Sequence, residues 1–276
     1  MTQRGSDTFG CNTHHHTIHR VGGIWQSLPE ERASYFDQFI RDYETIRQHE
    51  GRASHKAEFY EALPFEDLSG RYSADWHIRA VSFNALLERI VKPLETQLRR
   101  PLIVLDLGAG NGWLSNRLAQ RGHSVAAIDL LTNTTDGLGA HRHYRATFTP
   151  IQAEFDHLPL APRQADLIVF NGSLHFSTNF EATLNEAQRV LRPDGALVIM
   201  DSRIYRESEC GRAMVREREA HFAREVGFPS NALPMENYLT FRRVCHFTAD
   251  TAPEVYGEGA PAVFTEGAPR NGMRLR

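Results

Sequence analysis

The chain has little cysteine, no long apolar run and almost no excess of charge of either sign. Among its 276 residues only Cys11, Cys210 and Cys245 are cysteines, at unrelated positions. No disulfide framework organises such a chain, and a reducing compartment is expected. No run approaches the ~18 apolar residues of a membrane-spanning helix, and the opening MTQRGSDTFG lacks the apolar stretch of a secretory leader. The expectation is therefore a cytoplasmic protein with no membrane partner. Lysine plus arginine number 31 against 34 acids, a formal charge of −3. That balance gives no broad attraction to phosphate backbones, so no nucleic-acid partner is expected either. Internal repeats and low-complexity tracts are also missing. With 41% hydrophobic residues, the chain can bury a core without metals or cross-links, and its length suits one α/β domain carrying a helical appendage.

What is present falls into two textures. After a polar stretch holding His14, His15, His16 and His19, Ser27-Leu-Pro-Glu30 reads as a capping box opening a helix. Ala33, Phe36, Ile40 and Tyr43 then form an apolar stripe that ends near Gly51. A second helical pattern runs from about Asp75 to Val91, where Lys92-Pro93 weakens any continuation. From Pro101 onward, LIVLDL (102–107), SVAAIDL (124–130), DLIVF (166–170) and ALVIM (196–200) are short β-branched runs suited to strands buried on both faces of a parallel sheet. Helical patterns separate them, notably Phe180 to Leu191, which runs into Arg-Pro-Asp-Gly. Alternation of this kind predicts an α/β fold with a doubly wound, mostly parallel Rossmann-like sheet. Residues 1–98 are expected to form a helical N-terminal cap region, and 99–276 the Rossmann-like domain with a helical insertion at 203–250. Within that insertion, helices are expected from Ala213 to Val226 and from Glu236 to Phe247; PAVFTE (261–266) reads as a short antiparallel edge strand.

The chemistry concentrates in Val104-Leu-Asp-Leu-Gly-Ala-Gly-Asn-Gly112. Glycines at 108, 110 and 112 let the chain turn tightly between a strand and a helix and let a ligand lie against main-chain N–H groups. The dinucleotide-binding fingerprint places its third glycine three residues after the second, a position held here by Trp113, whereas this chain's third glycine comes after two. Asp106 before the turn would repel a pyrophosphate but suits a ligand carrying an ammonium and a sulfonium. Asp129, ending the next strand, has the geometry to accept both hydroxyls of a ribose. Glu154 can accept from an adenine amino group, and the N–H of Phe155 can donate to a ring nitrogen. Asn171 ends the fourth strand, followed by a loop bearing His175.

In order and spacing, VLDLGAGNG, AIDL, IQAEFDHLPL, ADLIVFNGSLH and EAQRVLRPDGALVIMD resemble the motifs of class I, Rossmann-like S-adenosylmethionine-dependent methyltransferases of the small-molecule type. The resemblance covers about residues 101 to 202. It implies that Gly108, Ala109, Gly110, Asn111 and Gly112 line the methionine moiety with Asp106 beneath. It also implies that Asp129 holds the ribose, Leu130 packs on adenine, Glu154 and Phe155 read the adenine edge, and Asn171 approaches the sulfonium. The cofactor implied is S-adenosyl-L-methionine, and the activity is methyl transfer to an oxygen, nitrogen or carbon nucleophile of a small molecule. Gly23-Ile24-Trp25 is similar to an element that follows a small zinc ribbon in some bacterial methyltransferases. Here only Cys11-x-x-His14 stands before it, short of the four ligands of a structural zinc, and no bound metal is expected. On that basis residues 1–28 are either disordered or a degenerate ribbon remnant.

Several residues carry two readings. Tyr72, Trp76 and Arg79 belong to a helix that lids the cofactor cleft; Arg79 either pairs with the cofactor carboxylate or simply packs. His175 stands where a general base would, yet a structural or substrate-positioning role fits equally, because methyl transfer depends chiefly on placement. His143, Asp201 and Tyr205 are weaker candidates on neighbouring loops. The rival functions are a catalytically silent cofactor-binding module and a nicotinamide-dependent oxidoreductase, the latter opposed by the glycine spacing and Asp106. Base methylation through an Asn-Pro-Pro-aromatic loop does not fit, since Gly-Ser-Leu follows Asn171.

Overall fold

The computed structural model describes residues 2–5, 7–10, 17–52, 54–230, 232–247, 254–255 and 262–265. Cys11 and the histidines at 14–16 lie outside them. The chain opens with β1 (Thr2–Gly5), β2 (Thr8–Gly10), β3 (Thr17–Val21) and β4 (Ile24–Gln26). Helices α1 (Glu30–Glu50), α2 (Ala57–Ala62), α3 (Ser73–Leu86) and α4 (Lys92–Leu98) follow. Next come β5 (Ile103–Leu107), α5 (Trp113–Gln120), β6 (Ser124–Asp129), β7 (Thr149–Gln152), β8 (Ala165–Asn171), α6 (Phe180–Val190) and β9 (Leu191–Met200). The remainder is β10 (Ile204–Tyr205), α7 (Ser208–Glu225), β11 (Leu239–Thr240), α8 (Phe241–Phe247), β12 (Glu254–Val255) and β13 (Ala262–Thr265).

One 11-stranded sheet has the order β1-β2-β3-β4-β7-β6-β5-β8-β9-β13-β12. Pairings from β4 through β9 are parallel and those outside them antiparallel. The central strands bury both faces, as their unbroken apolar runs require. Val104, Leu167, Val169 and Val198 pack under α3 to α5 with Phe83, Leu86, Trp113, Leu114 and Leu118. Their neighbours Leu105, Leu107, Ile168, Phe170 and Leu197 face α6 through Phe180, Ala187 and Val190, since successive side chains alternate across the pleat. The result is the expected α/β, Rossmann-like architecture.

Four local expectations were overturned. The residues before α1 are strands: β4 runs parallel to β7, pairing Trp25 with Ile151, so this region extends the sheet. That ladder continues to Ser27, whose N–H donates to the Gln152 carbonyl at 2.9 Å. Ser27 is thereby held in the sheet, no capping box forms, and α1 starts from Pro29 without a side-chain cap. Pro93 does not end its helix either. Leu87–Val91 is a π-helical turn in which the Lys92 N–H reaches back to the Leu87 carbonyl, and α4 restarts with Pro93 in its first turn. A proline there needs no donor. At the far edge, β13 pairs with β9 but is covered in turn by β12, so it is not the outermost strand.

The start of the sheet is fastened by a buried carboxylate. Asp166, 2% exposed, accepts from Arg100 Nη1 and Nη2 at 2.7 Å each, from Arg192 Nη1 at 2.6 Å and from the Ile103 N–H at 2.8 Å. Burial opposes its ionisation, but these donors outweigh that and hold its pKa down to about 2. A carboxyl with a depressed folded-state pKa stabilises the protein fully above its unfolded value of ~3.9 and progressively less as pH falls towards 2. We expect Asp166→Asn to lower the unfolding free energy at pH 7 by about 2 kcal/mol, and the wild-type advantage to be roughly halved at pH 3. Urea titrations of both proteins at the two pH values check this; an advantage that does not shrink on acidification would contradict it.

Candidate functional site

The strand order reverses at β5, which lies between β6 and β8. In open α/β sheets a crevice forms there, beyond the carboxyl ends of the strands. The turn leaving β5 is tied down at that point. The N–H groups of Gly108 and Ala109 donate to the Ile128 carbonyl at 2.8 and 3.1 Å, and Gly110 N–H donates to Asp129 Oδ2 at 2.8 Å. Asp129 Oδ1 accepts from Leu131 N–H at 2.9 Å. Gly108 has φ 77°, and a Cβ on it would stand 2.2 Å from that of Ser173. Only glycine allows this close approach between the β5 turn and the segment after β8.

Asp106 lies beneath the turn, 1% exposed, with one oxygen accepting from Ser115 Oγ at 2.8 Å and the other without a partner. Burial pushes its carboxyl up to about 7, the Ser115 hydrogen bond opposing this and Asp129 adding to it. Burial likewise raises Asp129 to about 6, against the N–H donors of Leu131 and Gly110. Two acids held near neutrality with unspent hydrogen-bonding capacity suit a ligand that brings positive charge and hydroxyls.

A cavity opens above the turn, and α1 and α3 wall it. Phe36, Phe39 and Tyr43 of α1 line it, joined by Phe176, Met235 and, from α3, Trp76 and Arg79. Both ends of α1 are anchored to the rim. Arg32 pairs with Glu154, Arg47 pairs with Asp136, and Glu44 accepts from Asn133 Nδ2 at 2.8 Å. Arg79 differs from these: its guanidinium lies 5.2 Å from the Trp76 ring, and among the described residues it makes no hydrogen bond or ion pair. Burial lowers its pKa, the nearby Asp201 opposing that. An anionic group on a ligand would complete it.

Of the residues named from sequence, Gly108, Ala109, Gly110, Asn111, Asp129, Leu130, Glu154, Phe155, Asn171 and Arg79 line this one cavity. Gly112 lies just outside it as the N-cap of α5, against the Phe148 ring. Tyr72 is not among the lining residues: its hydroxyl donates to the Glu50 carbonyl and Arg52 covers its ring at 3.8 Å. His175 is also absent from the lining. It is 6% exposed and pushed down to about 3 by burial and by Arg203, Arg218 and Arg79, so its ring is neutral and a poor base. His143 stacks on Tyr60, Asp201 accepts from Ser82, and Tyr205 packs against Tyr238. Sequence reasoning missed Asp136 and the aromatic wall. Phe36 and Tyr43 were visible only as an apolar stripe, which does not show that a cavity lies opposite. Among the described residues no group of three metal-ligating side chains occurs, and no helix is long and apolar enough to cross a membrane.

The lining fits S-adenosylmethionine. Arg79 suits its carboxylate, and Asp129 suits its ribose hydroxyls. Asn171, lining the same cavity, has a buried Oδ1 without a partner. A Cβ on Gly110 would make ordinary contact with the Asp136 carbonyl at 3.7 Å.

Residues 105–199 match the family described as "Methyltransferase domain". Among curated proteins, a malonyl-[acyl-carrier protein] O-methyltransferase of Geobacter sulfurreducens is 33% identical over 131 residues, 45% of this chain and 48% of that one. Its counterpart from Enterobacter lignolyticus is 33% identical over 136 residues, 49% and 51% of the two chains. The chain thus spans about half the length of the curated relatives it matches. A solved structure of Burkholderia thailandensis 1,6-didemethyltoxoflavin-N1-methyltransferase aligns over 95% of this chain and 100% of that one, at 16% identity and a TM-score of 0.49. Residues 105–199 thus match a methyltransferase domain, carried on the Rossmann-like parallel sheet described above.

Proposed function

We propose that the protein transfers the methyl group of S-adenosylmethionine to a nucleophilic oxygen, nitrogen or carbon of an acceptor enclosed between α1, α3 and the carboxyl ends of the strands. The observation that carries this reading is the convergence of the β5 turn, Asp129 and the unpaired Arg79 on one cavity. In that cavity the cofactor supplies an electrophilic methyl carbon on a positively charged sulfur. The chain's residues do the placing. The backbone of the turn and Asn111 border the methionine end, Arg79 receives its carboxylate, and Asp129 accepts from the ribose hydroxyls. Leu130 packs on the base, and Glu154 with the Phe155 N–H reads its edge. Phe39, Tyr43, Phe176 and Met235 exclude water and orient the acceptor, and alignment with the departing sulfur is the main source of rate. His175 supports Phe176, its ring centroid 4.3 Å away, rather than moving a proton. Because the curated relatives are named for O-methylation of malonyl-[acyl-carrier protein], a carboxylate oxygen is the first acceptor class to test, on a free small acid or on one carried by a protein.

Two outcomes follow from this reading. In calorimetry S-adenosylhomocysteine binds and NADH does not; the reverse preference would overturn it. Its ribose contact requires the ionised form of Asp129, whose pKa of about 6 sets the sign. Asp106, raised to about 7, titrates in the same range, so affinity is fullest above about pH 8 and falls as pH drops through about 7 and 6. In Asp129→Asn the affinity is lower by about tenfold or more at pH 8 and the fall centred near pH 6 disappears; an unaltered profile would count against the assignment.

A further inference from the structure

Glu154 is more constrained than reading a base edge requires. It is 5% exposed and lines the cavity, yet its oxygens are held from the cap. Arg32 Nε donates to Oε1 at 2.9 Å and to Oε2 at 3.1 Å, while Nη2 donates to Oε2 at 2.5 Å. Arg32 is itself fixed from behind. Its guanidinium carbon lies 4.4 Å from the Tyr35 ring centroid and 5.0 Å from that of Phe36, the latter also a cavity wall. A fork stacked on two rings and engaging both carboxylate oxygens fixes the rotamer of its partner. An ionised carboxylate only accepts and has about four lone-pair positions. His157 Nδ1, on an exposed ring, also stands 3.6 Å from Oε1; with Arg32 on both oxygens, what Glu154 still offers the cavity is acceptor capacity alone.

We propose that Arg32 is a positioning residue for nucleobase recognition: by pinning Glu154 it makes the site select a purine with an amino group at position 6 and links that selection to the seating of α1. The proposal rests on the reading of the cavity as the S-adenosylmethionine site. A base with a carbonyl at position 6 would present oxygen to the carboxylate and leave the acceptor unsatisfied. The amino group of adenine donates instead. Arg32 touches no ligand in this account; it acts through Glu154.

The test compares S-adenosylhomocysteine with S-inosylhomocysteine, which carries that carbonyl, by calorimetry on the full chain. Wild type prefers the adenosyl ligand by about 30-fold or more. In Arg32→Gln the adenosyl ligand weakens by about tenfold or more while the inosyl ligand changes little, so the preference narrows to about threefold. Arg32→Lys keeps the charge but not the fork, and falls between. Melting curves accompany each variant, and if Arg32→Gln does not fold, Arg32→Lys carries the comparison. Equal weakening of both ligands, with the preference intact, would show a merely structural ion pair and overturn the proposal while leaving the site reading standing. Failure of wild type to bind either ligand would overturn both.

Discussion

The turn after β5 gives three successive N–H groups, those of Gly108, Ala109 and Gly110, to the end of β6. That commitment sets the geometry of the rest. It fixes the distance between the first two strand ends, holds Asp129 at the rim, and presses Gly108 so closely on Ser173 that no side chain fits. Each such hydrogen bond is worth only about 1 kcal/mol net. Their value lies in direction: the turn has one conformation before any ligand arrives, so little ordering remains to be done on binding.

The cap is held to this rim by electrostatic contacts at both ends of α1, with aromatic rings between. Arg32 to Glu154 and Arg47 to Asp136 are partly buried pairs, the acids being 5% and 10% exposed. Breaking one would leave a buried carboxylate without its donor, which costs more than an exposed pair returns. Arg79 follows the opposite logic. It is half-buried over Trp76 with no hydrogen bond or ion pair among the described residues, a state that suits a site receiving an anion rather than a finished core.

The central strands were legible because burial on both faces writes continuous apolar runs, and Asp106, Asp129 and the glycine loop because the chemistry sits at the strand ends. What stayed hidden depended on distant partners. Ser27 looks like a helix cap until the Gln152 carbonyl claims its N–H. Pro93 looks like a stop until a π-helical turn moves the preceding carbonyls out of its way. The Phe36 and Tyr43 stripe shows that a helix face leaves water, but not whether protein or a cavity lies opposite. His175 stands at the right place in the chain for a base, yet the 3₁₀ turn Leu174–Phe176 turns it away from the cavity among arginines, information that no linear spacing contains.

The central claim concerns where a sulfonium nucleoside lies, and a structure of the complex with S-adenosylhomocysteine measures that directly. The account predicts both ribose hydroxyls within hydrogen-bond distance of Asp129, the carboxylate on Arg79 and the base between Leu130 and Glu154. A nucleoside seated elsewhere, with Asp129 and Arg79 untouched, would contradict it.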